Sequence, residues 1–148
     1  MTKVVFYQLE DASSQDYVDI AVQLVAKAYN GKSYLTVVCT DDTQAETIDE
    51  TLWEKPADQF IAHNLYGEGD DKPAPVEILT LDKLKSGTRI RNKRLVINLS
   101  FEYLDNFQSL GEIFDFVPVD EEQKSAARKR YASYKQAGCE MVFEKLSA

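Results

Sequence analysis

Histidine is almost absent from this chain, and cysteine nearly so. His63 is the only histidine, so a catalytic triad or a metal cluster must borrow it or do without. The expected role of His63 is that of a hydrogen-bonded structural residue. Cys39 and Cys139, the only cysteines, belong to no CxxC or Cys/His cluster and read as small core hydrophobes of a reducing compartment. No serine lies in a G-x-S-x-G turn, and the acid pairs at 41–42 and 70–71 fit capping and turn formation better than metal ligation. No apolar run approaches the roughly 20 residues that span a bilayer. The N-terminal MTKVVFYQLED enters a strand-like run directly, without a leader, and a cytoplasmic location is expected. Glycine is scarce where a nucleotide fold needs it: LEDASSQD, after the first apolar run, contains none. NGKS at 30–33 resembles the end of a phosphate loop, but Ala26 stands where the motif requires glycine and the order of strand and helix is reversed. GEG at 67–69 runs into a proline-containing loop instead of a helix N-terminus. No reaction, cofactor or metal follows from these residues.

What is present describes one α/β domain covering 1–148. Hydrophobic residues make up 44% and charged residues 28%, as in ordinary globular proteins. VVFYQL (4–9), YLTVVC (34–39), VEILTL (76–81), RLVINL (94–99), EIFDFVPV (112–119) and EMVFEKL (140–146) are the strand candidates. Several are almost continuous in Val, Ile and Leu, as in parallel strands covered on both faces. Between them, Tyr17, Ile20, Ala21, Leu24, Val25 and Ala28 keep helical spacing, and NG at 30–31 ends that helix. A second helix is expected to open with a Thr43–Glu46 capping box and to carry Ala45, Ile48, Leu52 and Trp53 on its apolar face. A third is expected near 100–110. The last has Asp120 as N-cap and Gln123 at the third position, and ends at Gly138. Strands alternating with helices predict a three-layer fold around a mostly parallel sheet.

Charge is distributed unevenly. The formal balance is −8, yet 123–138 holds five of the seventeen basic residues, Lys124, Arg128, Lys129, Arg130 and Lys135, and no acid. Lys124, Arg128, Tyr131 and Lys135 share a helix face. Cations beside an aromatic suit a ligand that offers carboxylates and a ring, although for the run taken alone a solvated face is the favoured reading. In LWEKPADQFIAHNL (52–65), Trp53 and Phe60 flank a turn at Pro56. They are either core rings or a protein–protein anchor. KLKSGTRIRNKR (83–94) adds six cations, most simply a solvated loop.

IDETLWEKPADQFIAHNLYGEGD, APVEI and FDFVPVDEEQKSAARKRYASYKQAG together resemble the chi subunit of bacterial DNA polymerase III, and the resemblance runs from FYQLE to the last strand. It implies a Rossmann-like topology without nucleotide chemistry, a non-enzymatic clamp-loader adaptor, and two protein partners. One is the psi subunit, expected at Trp53 and Phe60. The other is the acidic, Pro-Phe-ended C-terminal tail of single-stranded-DNA-binding protein, expected at Val117, Lys124, Arg128 and Tyr131. Contact with DNA is then indirect. Ala132 departs from the family pattern, where another cation is expected beside Tyr131. Two other readings stand beside this one. A nucleotide-binding enzyme of Rossmann-like fold needs a phosphate loop the chain lacks. Direct single-stranded DNA binding would use 83–94 and 124–135.

Overall fold

Val, Ile and Leu run almost unbroken through the central strands because those strands are covered on both faces. A computed structural model describes residues 2–9, 14–30, 34–54, 61–66, 74–104 and 107–146. Its strands are β1 (Lys3–Leu9), β2 (Leu35–Cys39), β3 (His63–Leu65), β4 (Val76–Thr80), β5 (Leu95–Asn98), β6 (Glu112–Val117) and β7 (Glu140–Leu146). All seven lie parallel in one sheet of order β3-β4-β2-β5-β6-β1-β7. Every residue of β2, β4 and β5 is buried, as parallel strands under helices require. The helices are α1 (Ser14–Asn30), α2 (Asp42–Glu54), α3 (Leu81–Lys85) and α4 (Glu121–Gln136).

Side chains alternate along each strand, so the sheet feeds two cores. Val5 and Tyr7 of β1 and Phe116 of β6 join Val18, Ala21, Val22 and Val25 of α1 and Ala45, Ile48 and Leu52 of α2. Val4 and Phe6 of β1 and Ile113 and Val117 of β6 join Ala127 and Tyr134 of α4, with Leu104, Phe107 and Leu110. Cys39 belongs to the first core and Cys139 packs on the second, so the thiols lie on opposite faces. Burial pushes the Cys39 thiol up to about 12, which leaves it protonated and inert.

Local chemistry sets the helix ends. Asp120 Oδ2 accepts the Gln123 N–H at 3.0 Å, the cap expected from the sequence, and Gly138 leaves the other end of α4 at φ +93°. The second helix starts earlier than Thr43. Asp41 Oδ1 accepts the Gln44 N–H at 2.9 Å, while Gln44 Oε1 accepts the Thr40 N–H at 2.7 Å. A carboxylate and an amide do what a Thr43–Glu46 box was expected to do, two residues upstream. The helix expected near 100–110 is, among the described residues, only a 3-10 turn at Phe107–Ser109. Asn98 Oδ1 accepts from the Ser100 N–H and Oγ–H, and Asn98 Nδ2 donates to the Glu102 carbonyl at 2.8 Å. These side chains satisfy the backbone in a turn and so compete with a helix. The three-residue β3 and five-residue α3 are too short to show a period in sequence.

A groove between helix α4 and the sheet

Helix α4 crosses the sheet above β6, β1 and β7. Under its first half lies a cleft of about 340 Å³ lined by Phe6, Gln8, Val117, Lys124, Ala127, Arg128, Tyr131 and Phe143. Register explains the floor. Gln8 pairs with Val117 of β6, Phe6 pairs with Phe143 of β7, and all point toward α4 at the carboxyl end of the strands. This is where open parallel sheets offer ligand sites. Steps of four and three residues along α4 bring Lys124, Arg128 and Tyr131 over that floor. The four residues expected to share a site, Val117, Lys124, Arg128 and Tyr131, therefore line one groove. Lys135, one turn further on, does not.

The groove is apolar below and cationic at its rim. Val117 and Ala127 are buried, and Phe143 is 49% exposed. Tyr131 is held edge-on by Phe6, with ring centroids 5.3 Å apart. Lys124 Nζ lies 3.7 Å from Glu121 on the next turn, an exposed partner that competes weakly for it. Arg128 is exposed and has no ion pair among the described residues. Such a site can bury an aromatic side chain and bind carboxylates at its lip.

Arg130 does not belong to the surface group in which its sequence position placed it. It is 4% exposed. Its Nε and Nη2 donate to the two oxygens of Asp115, both at 3.2 Å, and further bonds reach the carbonyls of Phe101 at 2.7 Å and Phe116 at 3.1 Å. The anion that this cation answers lies in β6 beneath it. Phe101, at φ 57°, adopts a left-handed conformation unusual for an aromatic residue, with the Arg130 guanidinium 5.9 Å from its ring. Burial pushes Asp115 up to about 6, while Arg130 and the Phe116 N–H oppose the rise. Tyr134, on the same helix, is fully buried, and its hydroxyl accepts the Leu104 N–H at 2.9 Å.

The other candidate residues lie elsewhere. Trp53, at the end of α2, is 62% exposed, so it is not the core ring one reading allowed. Its ring meets the edge of His63 at 5.0 Å. Phe60 lies outside the described residues. His63 is buried, with Nδ1 2.7 Å from the Ile61 carbonyl and Nε2 3.1 Å from Asp49 Oδ1, a structural role. In the 83–94 segment, Arg91 holds the buried Glu77 through Nε and Nη2, and Lys85 pairs with Glu102 at 3.3 Å. That run is thus partly structural. Phe6, Gln8 and Phe143 were missed as groove residues, because no local pattern shows which strands of an open sheet become neighbours. Among the described residues, no cluster of three or more His, Cys, Asp or Glu could hold a metal, and no helix is long and apolar enough to cross a membrane.

Comparison with known proteins agrees with the resemblance read from the sequence. The family described as "DNA polymerase III chi subunit, HolC" matches residues 1–142. DNA polymerase III subunit chi of Escherichia coli (strain K12) is 35% identical over 142 residues, covering 93% of this chain and 94% of that protein. The Haemophilus influenzae subunit chi is 34% identical, covering 94% of each. Among solved structures, the crystal structure of T4 UvsW superposes with a TM-score of 0.69 at 10% identity, over 99% of this chain and 42% of that one. That likeness is one of fold alone.

Proposed function

The chain belongs to the DNA polymerase III chi subunit family, an accessory subunit in DNA replication, and from that premise we propose that it is a non-enzymatic adaptor. In this reading it pairs with the psi subunit, which attaches it to the clamp loader. Its α4 groove takes the acidic, Pro-Phe-ended tail of single-stranded-DNA-binding protein. The observation that carries the reading is the groove itself, an apolar floor of Phe6, Val117 and Phe143 under a rim of Lys124, Arg128 and Tyr131. The floor accommodates the terminal phenylalanine. The cations donate hydrogen bonds to the α-carboxylate and to the aspartates before it.

The test is a titration of the purified chain with an acidic peptide ending in Pro-Phe, alongside ATP, NAD and a single-stranded oligonucleotide. Peptide binding is expected at micromolar concentrations, without comparable binding of the nucleotides or of DNA. Arg128→Ala should weaken it roughly tenfold, and removal of the terminal Phe by as much. Arg94→Ala, at the opposite end of the sheet, serves as control and should change little. If the control abolishes binding while Arg128→Ala leaves it intact, the site lies on the wrong surface. A dissociation constant in the micromolar range for ATP or NAD would favour the enzyme reading instead.

A further inference from the structure

The two edges of the sheet are unequal. Among the described residues, β3 ends the sheet at one side with three residues, a short edge of the kind that discourages unwanted pairing. At the other, β7 is seven residues long and pairs in unbroken register with β1 from Glu140 to Leu146. Among the described residues no strand lies beyond it. The Glu140 N–H donates to the Thr2 carbonyl at 3.0 Å, which sets the phase of the ladder: 140, 142, 144 and 146 turn their peptide groups toward β1. The N–H and C=O of Met141, Phe143 and Lys145 therefore point outward, a row of donors and acceptors without a strand partner among the described residues. The side chains of these residues share the α4 face. Phe143 lines the groove, and Lys145, exposed, stands in register with Gln8 of the groove floor. An open edge and the groove thus meet at one residue.

We propose that the peptide held by the groove continues along β7 as an eighth, antiparallel strand, bonded to the outward peptide groups of Phe143 and Lys145. This rests on the reading of the groove as a site for an acidic tail. The direction follows from charge. Lys145 lies toward the carboxyl end of the strand from Phe143, so acids that precede the aromatic end pass Lys145 only if the segment runs antiparallel. Strand addition supplies affinity from the main chain, while the groove selects the terminal side chain. It also explains why this edge is left long and unbulged, with a half-exposed Phe143, in a protein that shortens its other edge.

The experiment is an N-methyl scan of the acidic Pro-Phe-ended peptide, one backbone nitrogen at a time, read by calorimetry against the full chain. Methyls that face β7 should weaken binding about three- to tenfold, and the alternating ones should be tolerated, giving a period of two. A paired test uses Lys145→Pro against Lys145→Gln. Proline removes an N–H that takes no part in the β1 ladder, so the fold should persist, and binding should fall about threefold or more below that of the Gln variant. A flat scan, with the unmodified peptide still bound and still sensitive to Arg128→Ala, overturns strand addition but spares the groove. Failure of the unmodified peptide to bind removes both. Concentration-dependent dimerisation abolished by Lys145→Pro, with peptide binding unaffected, would give the edge to a second copy of this chain and refute the proposal.

Discussion

Three arginines of similar sequence context have different fates, and burial of a partner carboxylate separates them. Arg130 sits over Asp115 and Arg91 over Glu77, both acids essentially without solvent contact. Removing the cation from such a pair strands a buried charge, a loss of about 3–5 kcal/mol. Arg130→Ala should therefore lower the urea midpoint strongly, and Arg91→Ala should also destabilise, whereas Arg128→Ala should leave stability unchanged while weakening peptide binding. Asp115 adds a pH signature. Its carboxyl, pushed up to about 6, binds a proton more tightly in the native state than in the unfolded chain, where the ordinary value is about 4. Its contribution to stability is then complete below about pH 4 and declines as pH rises through 6. Urea midpoints between pH 4 and 7 should show this slope, and Asp115→Asn should abolish it.

At the level of elements, α4 depends on its N-terminal cap, and the sheet on one close backbone approach at Gly111. Asp120→Ala removes the cap on Gln123 and should cost about 1 kcal/mol, read as a lower thermal midpoint with binding largely retained. At Gly111 a Cβ would lie 2.7 Å from the Arg94 carbonyl oxygen, so Gly111→Ala should destabilise by about 1–3 kcal/mol through backbone displacement. The six strands with four or more residues were legible in sequence, because continuous Val, Ile and Leu runs bounded by polar turns leave few alternatives. The cap of α4 was legible for the same reason, since Asp120 and Gln123 act within one turn. Phe101, Leu104, Phe107 and Leu110 keep helical spacing yet form no α-helix among the described residues. Asn98 and Ser100 turn the chain there, and a periodicity count does not weigh that competition. The rim of the groove, confined to α4, was readable from spacing and resemblance. Its floor was not, because Phe6 and Phe143 meet only through strand order, and Arg130 looked like a surface cation until β6 placed Asp115 beneath it.

For the molecule as a whole, groove and Trp53 lie far apart on the fold, one at the carboxyl end of β6 and β1, the other beside the start of β3. In the proposed reading, the two partners would therefore not compete for one surface. The chain is expected to be a monomer that forms a 1:1 complex with a psi-like subunit. Trp53→Ala, at a ring 62% exposed, should weaken that complex by about 2 kcal/mol or more without unfolding the chain. Unchanged pairing by a folded variant would remove Trp53 from the interface. The placement of β1 has a further consequence, in time rather than in space. Its neighbours are β6 and β7, more than a hundred residues later in the chain, so β1 finds its partners only long after its own synthesis. Non-local pairing of this kind slows folding. A nascent chain halted before 140 has Phe6 in place but not Phe143, and half the groove floor is missing. Competence to bind should therefore arise only after β7 leaves the ribosome, which stalled chains of increasing length would show as an abrupt onset of peptide capture.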